Sequence, residues 1–355
     1  MRKSQLVCIA LLLCILTSYR AAAQYNLPQS CIWAMGNKVG LDFTSGTPVP
    51  IATELANGNE AAASICSPAG TLLFYTNGTK IWNRNHVLMP KGQALIGAGT
   101  TNSTLSTTQG AVICPMPGNA NKYYVFSLTQ VSNCKLYCSI VDMTLNNGLG
   151  DVDTAAPFYG TLIRSNLTEK MTAFATGRQN TIWLIVHEEN TMSFLSYPIT
   201  ADSFSRTPVV SSLGGFPTAH YQQGVIKVSP DHKKLLTCNF RAGASAFGGL
   251  ELFNLDSMTG QLSNAYTLDS TSFYGGTFSP NSKRVYGQCN NTPTMGIWQY
   301  NLDAAEPRTS RILLGPAGQY ADMKLARTAR SILARWQVAP ATATTAIWAA
   351  STILI

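Results

Sequence analysis

Between Asp142 and Asp153 the chain sets four oxygen donors, Asp142, Asn146, Asp151 and Asp153, around Gly148. Such a run reads as a hydrogen-bonded turn or, because hard cations take oxygen ligands, as a calcium loop. The spacing differs from that of a helix–loop–helix calcium motif, and calcium is the one cofactor the sequence suggests. Gly243-Ala244-Ser245-Ala246-Phe247 approaches a nucleophile elbow, but Phe247 stands where the closing glycine is needed. The four histidines, His86, His187, His220 and His232, lie far apart and form no metal-binding pair. Hydrolytic or lyase chemistry would require acids and a base to converge, and Asp42, Glu60, His86, Glu188 and Asp231 are the candidates. Trp82, Trp183, Trp298 and Tyr274 sit in or beside apolar alternating runs. Most such aromatics pack between sheets, and some can stack on a sugar or peptide.

The elements that must position these residues are short strands. Asn77-Gly78 separates Leu72–Thr76 from Lys80–Trp82, a strong hairpin signal. Apolar alternation returns at 123–127, 136–141, 181–186, 192–197, 234–238, 250–254, 284–288 and 296–300. No run of ten residues carries a helical period, so the class is all-β. Val228-Ser-Pro-Asp-His-Lys-Lys aligns with Phe278-Ser-Pro-Asn-Ser-Lys-Arg fifty residues later, and Ser67-Pro-Ala-Gly-Thr is a looser copy. A turn recurring at that period in step with about four strands marks a β-propeller. The expectation is six or seven four-stranded blades, incomplete at the C-terminus.

Arg2 and Lys3 precede the apolar stretch 6–16, and Ala21-Ala22-Ala23 offers a cleavage site, so residues 1–23 read as a signal peptide and the mature chain as lacking a membrane anchor. Residues 24–326 form the propeller domain. Residues 327–355 carry three arginines, no acid and no glycine. One back-translation of 327–334, read from one base earlier, gives Pro-Asp-Gly-Lys-Ile-Tyr-Ile-Gly, so this tail reads as out of frame and the gene as a truncated version of a longer one. Six of the eight excess positive charges, Arg2, Lys3, Arg20, Arg327, Arg330 and Arg335, fall in the two ends. The remaining +2 over 24–326 gives no reason to expect nucleic acid. Of the seven cysteines in that range, Cys134 and Cys138 are four apart on one strand and read as core thiols sharing a face.

Ile32-Trp-Ala-Met-Gly-Asn-Lys-Val-Gly-Leu-Asp-Phe43, Leu73–Gly78, Ile81–His86 and Val141–Val152 resemble the N-terminal region of large secreted Bacteroidetes proteins. Those proteins carry PKD-type immunoglobulin-like domains and a gliding-motility-associated C-terminal sorting domain. The resemblance implies a WD40-like or YVTN-like propeller, export to the periplasm and type IX transport to the cell surface or medium, with the sorting domain missing here. The resulting expectation is a non-enzymatic secreted or surface module that binds an extracellular glycan or protein. A propeller hydrolase or lyase acting on polysaccharide or peptide is the second reading, and a fragment without function the third.

Overall fold

A computed structural model describes residues 28–326 and 331–335, apart from 36–37, 56–59, 94, 97–105, 131–132, 177–179, 202, 216–222, 241–246, 292 and 318–320. The signal peptide, His220, Gly243-Ala-Ser245 and residues 336–355 lie outside the described residues.

The described residues are all-β, and their strands pair antiparallel with neighbours along the sequence, except that β11 pairs with β9 across the small strand β10, which folds back on β9. The first sheet joins β1 (Ile32–Met35), β2 (Val39–Asp42) and β3 (Val49–Ala52), and the second joins β4 (Ala63–Cys66), β5 (Leu72–Thr76) and β6 (Ile81–Asn83). A large third sheet holds β7 (Ala111–Met116), β8 (Asn119–Leu128), β9 (Cys134–Asp142), β10 (Asp151–Val152), β11 (Thr161–Ala175), β12 (Ile182–Glu188), β13 (Ser193–Ile199) and β14 (Val209–Ser212). β15 (Ile226–Val228), β16 (Lys234–Asn239), β17 (Phe247–Leu255) and β18 (Leu262–Thr271) make the fourth. β19 (Phe273–Phe278), β20 (Arg284–Cys289), β21 (Gly296–Asn301) and β22 (Ile312–Gly315) make the fifth. The sixth pairs β23 (Ala321–Leu325) with β24 (Ser331–Arg335), so part of the segment expected to be out of frame forms a strand. This multi-sheet arrangement resembles propeller-type architectures, although the strand counts per sheet are uneven.

The unevenness of the third sheet has one cause. β11 runs for 15 residues. Its first half, Thr161 to Leu167, pairs with β9, and its second half, Met171 to Ala175, with β12. One strand thus serves as the last of one four-stranded unit and the first of the next. Between the halves, Leu167 lies opposite Glu188 and Met171 opposite Val186, so Thr168, Glu169 and Lys170 bulge against His187 alone. A bulge re-aims side chains, and all three here are buried polar groups.

The recurring Ser-Pro turn has a physical basis at the Ser. Ser229 Oγ donates to Asp231 Oδ1 (2.7 Å) and accepts from the Lys234 amide (2.9 Å), while the Lys233 amide donates to Asp231. Ser279 repeats each bond with Asn281, Arg284 and Lys283. At Ser67 the hydroxyl accepts from the Thr71 and Ala69 amides. Each turn carries one residue at positive φ, namely His232, Ser282 and Gly70, and only the last pays no steric penalty for it.

Apolar side chains fill the spaces between successive sheets. Phe174, Trp183 and Ile185 of the third pack with Ile226, Leu235 and Phe253 of the fourth, and Leu236 and Leu250 of the fourth with Phe273 and Val285 of the fifth. Ala326, after β23, joins Trp33, Leu41 and Phe43 of the first sheet. The seven described cysteines are buried and unbridged, and Cys134 and Cys138 share one apolar cluster.

Replacing Ser279 by Ala removes two hydrogen bonds at a buried site and is expected to lower stability by about 1–3 kcal/mol. A shift of the urea midpoint, with Ser229→Ala giving a similar shift, checks that the repeated turn is structural.

Candidate active site

A cavity of about 400 Å³ opens where the first strands of several sheets converge. Its wall takes residues from β4, β7, β11, β15, β19 and β23, and its polar groups include Glu60, Gln109, Lys227, His232, Asp322 and Lys324. These strands meet edge on, and side chains satisfy backbone groups that no neighbouring strand can reach. Gln109 is the clearest case. Its Oε1 accepts from the amides of Met171 (3.1 Å) and Ile226 (2.8 Å), and its Nε2 donates to the Ile226 carbonyl (3.0 Å). That single amide ties β11 to β15.

Just before Gln109, Thr108 enters a chain of hydrogen bonds between two carboxylates. Its amide and hydroxyl both donate to Glu169 Oε2 at 3.1 Å. Its hydroxyl also lies 3.4 Å from the Tyr274 hydroxyl, which donates to Glu60 Oε2 at 3.2 Å. Glu169 and Tyr274 are buried, whereas Glu60 and Thr108 reach the cavity. Burial, and secondarily the negative charge of Glu169, push the Glu60 carboxyl from its ordinary 4.5 up to about 7, although the bond from Tyr274 opposes the rise. Tyr274 in turn stays protonated, because burial and the charge on Glu60 raise its phenol well above the usual range. Glu60 is therefore a carboxylic acid that carries its proton near neutrality and faces a cavity.

Lys170, next to Glu169 on the bulge, turns to the other side and donates to Asn239 Oδ1, while Asn239 Nδ2 donates to Glu251 Oε2 (3.2 Å). Burial brings the Lys170 ammonium down to about 8, and burial together with Lys170 lowers His187 to about 3. His187 is thus a neutral core group packed edge-on to Phe194. On the cavity wall, Lys227 Nζ pairs with Asp322 Oδ2 at 2.7 Å. His232 lies beside Phe174, and burial lowers its pKa, which favours the neutral ring.

The remaining sequence candidates are scattered. Asp42 caps its own turn by accepting from the Thr44 amide, His86 Nδ1 meets the Tyr75 hydroxyl, Glu188 pairs with Arg164, and Asp231 serves the Ser229 turn. Trp183 is wedged between sheets, its indole donating to the Ser257 carbonyl while its ring lies where a side chain at Gly260 would sit. Trp82 stacks on Tyr75, and the Arg311 guanidinium covers Trp298 at 3.9 Å. Of the four proposed stacking aromatics, only Tyr274 adjoins the cavity, and it acts there through its hydroxyl. In the oxygen-rich turn, Lys122 bridges Asp142 and Asp153, Asp151 Oδ1 accepts from the Lys91 and Val152 amides, and Asn146 Nδ2 approaches the Gly150 carbonyl. An ammonium thus stands between two of the four proposed calcium ligands. Among the described residues no group of three or more His, Cys, Asp or Glu side chains is placed to hold a metal.

Glu169 escaped the sequence reading because Asn166-Leu-Thr-Glu-Lys170 interrupts the apolar alternation that marks a strand. The available signal was a pair of charged residues immediately before the apolar run Met171–Ala175.

No family model and no curated protein matches the chain. Solved structures similar to it include one provisionally named a 6-phosphogluconolactonase from Bacteroides uniformis, at 12% identity and a TM-score of 0.45, covering 81% of this chain and 80% of that one. The periplasmic gluconolactonase of Pseudomonas aeruginosa gives 12% and 0.45 over 75% and 73%. The β-propeller domain of Cps50 (Swd1) from Myceliophteria thermophila gives 11% and 0.49 over 88% and 92%. At such values these likenesses assign no activity or substrate. They do correct two expectations. These similar structures are named as lactonases and a propeller domain, not as PKD-bearing, type IX-secreted or gliding-motility proteins, so that resemblance is withdrawn. The leaning away from an enzyme is withdrawn too, since lactonases recur among the names together with a glucose dehydrogenase and a luciferin-regenerating enzyme.

A raised carboxyl pKa stabilises the fold at low pH, where both folded and unfolded Glu60 are protonated, and that stabilisation is lost as pH rises from about 4.5 through about 7. Relative to Glu60→Gln, the unmodified chain is expected to lose on the order of 1–3 kcal/mol across this window. Urea unfolding of both proteins at pH 4.5, 6 and 8 measures it, and parallel curves would rule out a buried acid.

Proposed function

We propose that the chain is a hydrolase that cleaves a polysaccharide or peptide by acid catalysis in the central cavity, with Glu60 as the proton donor. The sheets are then the blades of a seven-unit propeller. β1, β4, β7, β11, β15, β19 and β23 are its innermost strands, and β11 is shared between two blades. The observation that supports the reading is a carboxyl group at a cavity wall that holds its proton near pH 7 because it is buried beside a second carboxylate. A carboxylic acid that keeps its proton near neutrality is the acid used to break glycosidic bonds, which favours a polysaccharide over a peptide.

Each group has a distinct part. Glu60 donates its proton to the leaving-group oxygen as the bond breaks. Tyr274, through its hydrogen bond, fixes which oxygen of Glu60 bears the proton. Glu169 acts through Glu60 as a positioning residue, because its charge opposes ionisation of its neighbour. Asp322 and His232 are the wall groups able to take a proton from the attacking water. The N-terminal segment supports export, and an extracellular glycan is then the natural substrate. No helix among the described residues is long and apolar enough to cross a membrane.

Purified protein is expected to release reducing ends from at least one plant or microbial polysaccharide, with Glu60→Gln slowing the reaction by about 10²–10⁴-fold. Activity falls as pH rises through about 7, where Glu60 loses its proton. Glu169→Gln removes the opposing charge, lowers the Glu60 pKa and moves that fall to lower pH. An active Glu60→Gln variant, or a pH profile that Glu169→Gln leaves in place, would sink the assignment.

A further inference from the structure

The cavity wall carries a second, unabsorbed feature in Lys324 of β23. Its side chain is exposed to solvent and lines the cavity. Its ammonium lies over the Trp33 ring, 4.7 Å from the centroid, and makes no ion pair or hydrogen bond among the described residues. The neighbouring cation, Lys227, is already neutralised by Asp322. With a pKa of about 7, Glu60 is mostly protonated below neutrality, and burial favours the neutral His232 ring, so there Lys324 is the described wall's cation without a direct ion pair. Confinement, then repulsion from Lys227, draws the Lys324 pKa down to about 8, which still leaves it mostly charged at neutral pH. An ammonium at a cavity wall with no direct ion pair attracts an anion that enters the cavity. The indole behind it is a buried core group whose ring face holds the ammonium at the cavity wall.

We propose that Lys324, backed by Trp33, is the subsite for a carboxylate on the substrate, so that the cavity takes a sugar acid such as a uronic acid residue rather than a neutral sugar. The inference rests on reading the cavity as a substrate site and does not depend on catalysis by Glu60. The Glu60 carboxylic acid and the Lys324 ammonium line the same cavity, so one ligand can meet both, its carboxylate at Lys324 and its glycosidic oxygen at Glu60.

The test uses the full chain carrying Glu60→Gln, which prevents turnover, titrated by NMR with D-glucuronate, D-glucose and inorganic phosphate. A charge-assisted hydrogen bond lost with the carboxylate corresponds to about tenfold or more in affinity, so glucuronate is expected to bind at least that much more tightly than glucose. Adding Lys324→Met should reduce the preference to less than about twofold, whereas Lys324→Arg should keep most of it. Lys324→Gln serves if the Met variant does not melt cooperatively. Equal binding of glucuronate and glucose, or a preference that survives loss of the ammonium, overturns the proposal. Phosphate that binds as tightly as glucuronate and competes with it also overturns it, because the site would then read charge alone. Tight, Lys324-dependent uronate binding with no hydrolysis of any polysaccharide by the unmodified chain would sink the acid-catalysis reading and leave this one standing.

Discussion

The innermost strand of a sheet has a partner on one side only, and its other backbone edge must find hydrogen bonds elsewhere or face water. Much of this protein's arrangement follows from how those edges are closed. Gln109 spends its whole side-chain amide on β11 and β15. Ser64 of β4 donates to the Ile32 carbonyl and accepts from the Ala34 amide, which joins the second sheet to the first. Lys227 and Asp322 join β15 to β23 through charge. Each bridge holds two sheets at a fixed separation, and together they leave a polar-walled space that apolar packing would have filled.

That construction also produces the site's chemistry. Side chains that tie edges together are necessarily polar, and the sheets around them exclude most water. A carboxylate placed there is penalised twice, by lost solvation and by any like charge nearby. Glu60 meets both conditions, and it yields by keeping its proton. Glu169 is delivered by a bulge, an irregularity that costs ladder hydrogen bonds and returns three buried polar side chains to positions a regular strand would alternate between faces. Local rules broken at one place and satisfied around it are a usual sign of function.

The strands at 72–76, 136–141, 234–238 and 284–288 were legible as short runs rich in apolar and aromatic residues, and the structure buries them on both faces. The Ser-Pro repeat was legible as a turn because the same hydroxyl and carboxylate or amide bonds recur at each copy. β11 was not, since its pairing changes partners halfway and its centre is charged. Trp183 and Trp298 could be placed in strands, but whether an indole faces a cavity or a neighbouring sheet depends on contacts 74 residues away for one and on an arginine beyond the next turn for the other. Asp142 and Asp153 looked like a cation site because the sequence does not reveal that Lys122, on the paired strand, supplies the cation. The family likeness drawn from Ile32–Phe43 has a similar origin. β1 and β2 pair there, and Gly40, where a Cβ would meet the Trp33 carbonyl, and the apolar residues of the two strands are demanded by the fold and so carry little about lineage.

Glu60 and Lys324 are displaced from their ordinary proton affinities in opposite directions by the same cause. Partial loss of solvation, aided by Glu169, raises the acid and, aided by Lys227, lowers the base, so each moves toward its neutral form. The difference lies in what a ligand then does to them. A bound carboxylate gives Lys324 the counter-charge it lacks and restores its full positive charge. In the proposed complex the sugar body would exclude further water from Glu60 and strengthen its hold on the proton. On the proposed reading, one bound molecule would hold both groups in the states a cleavage reaction needs, an anchored anion and a protonated acid.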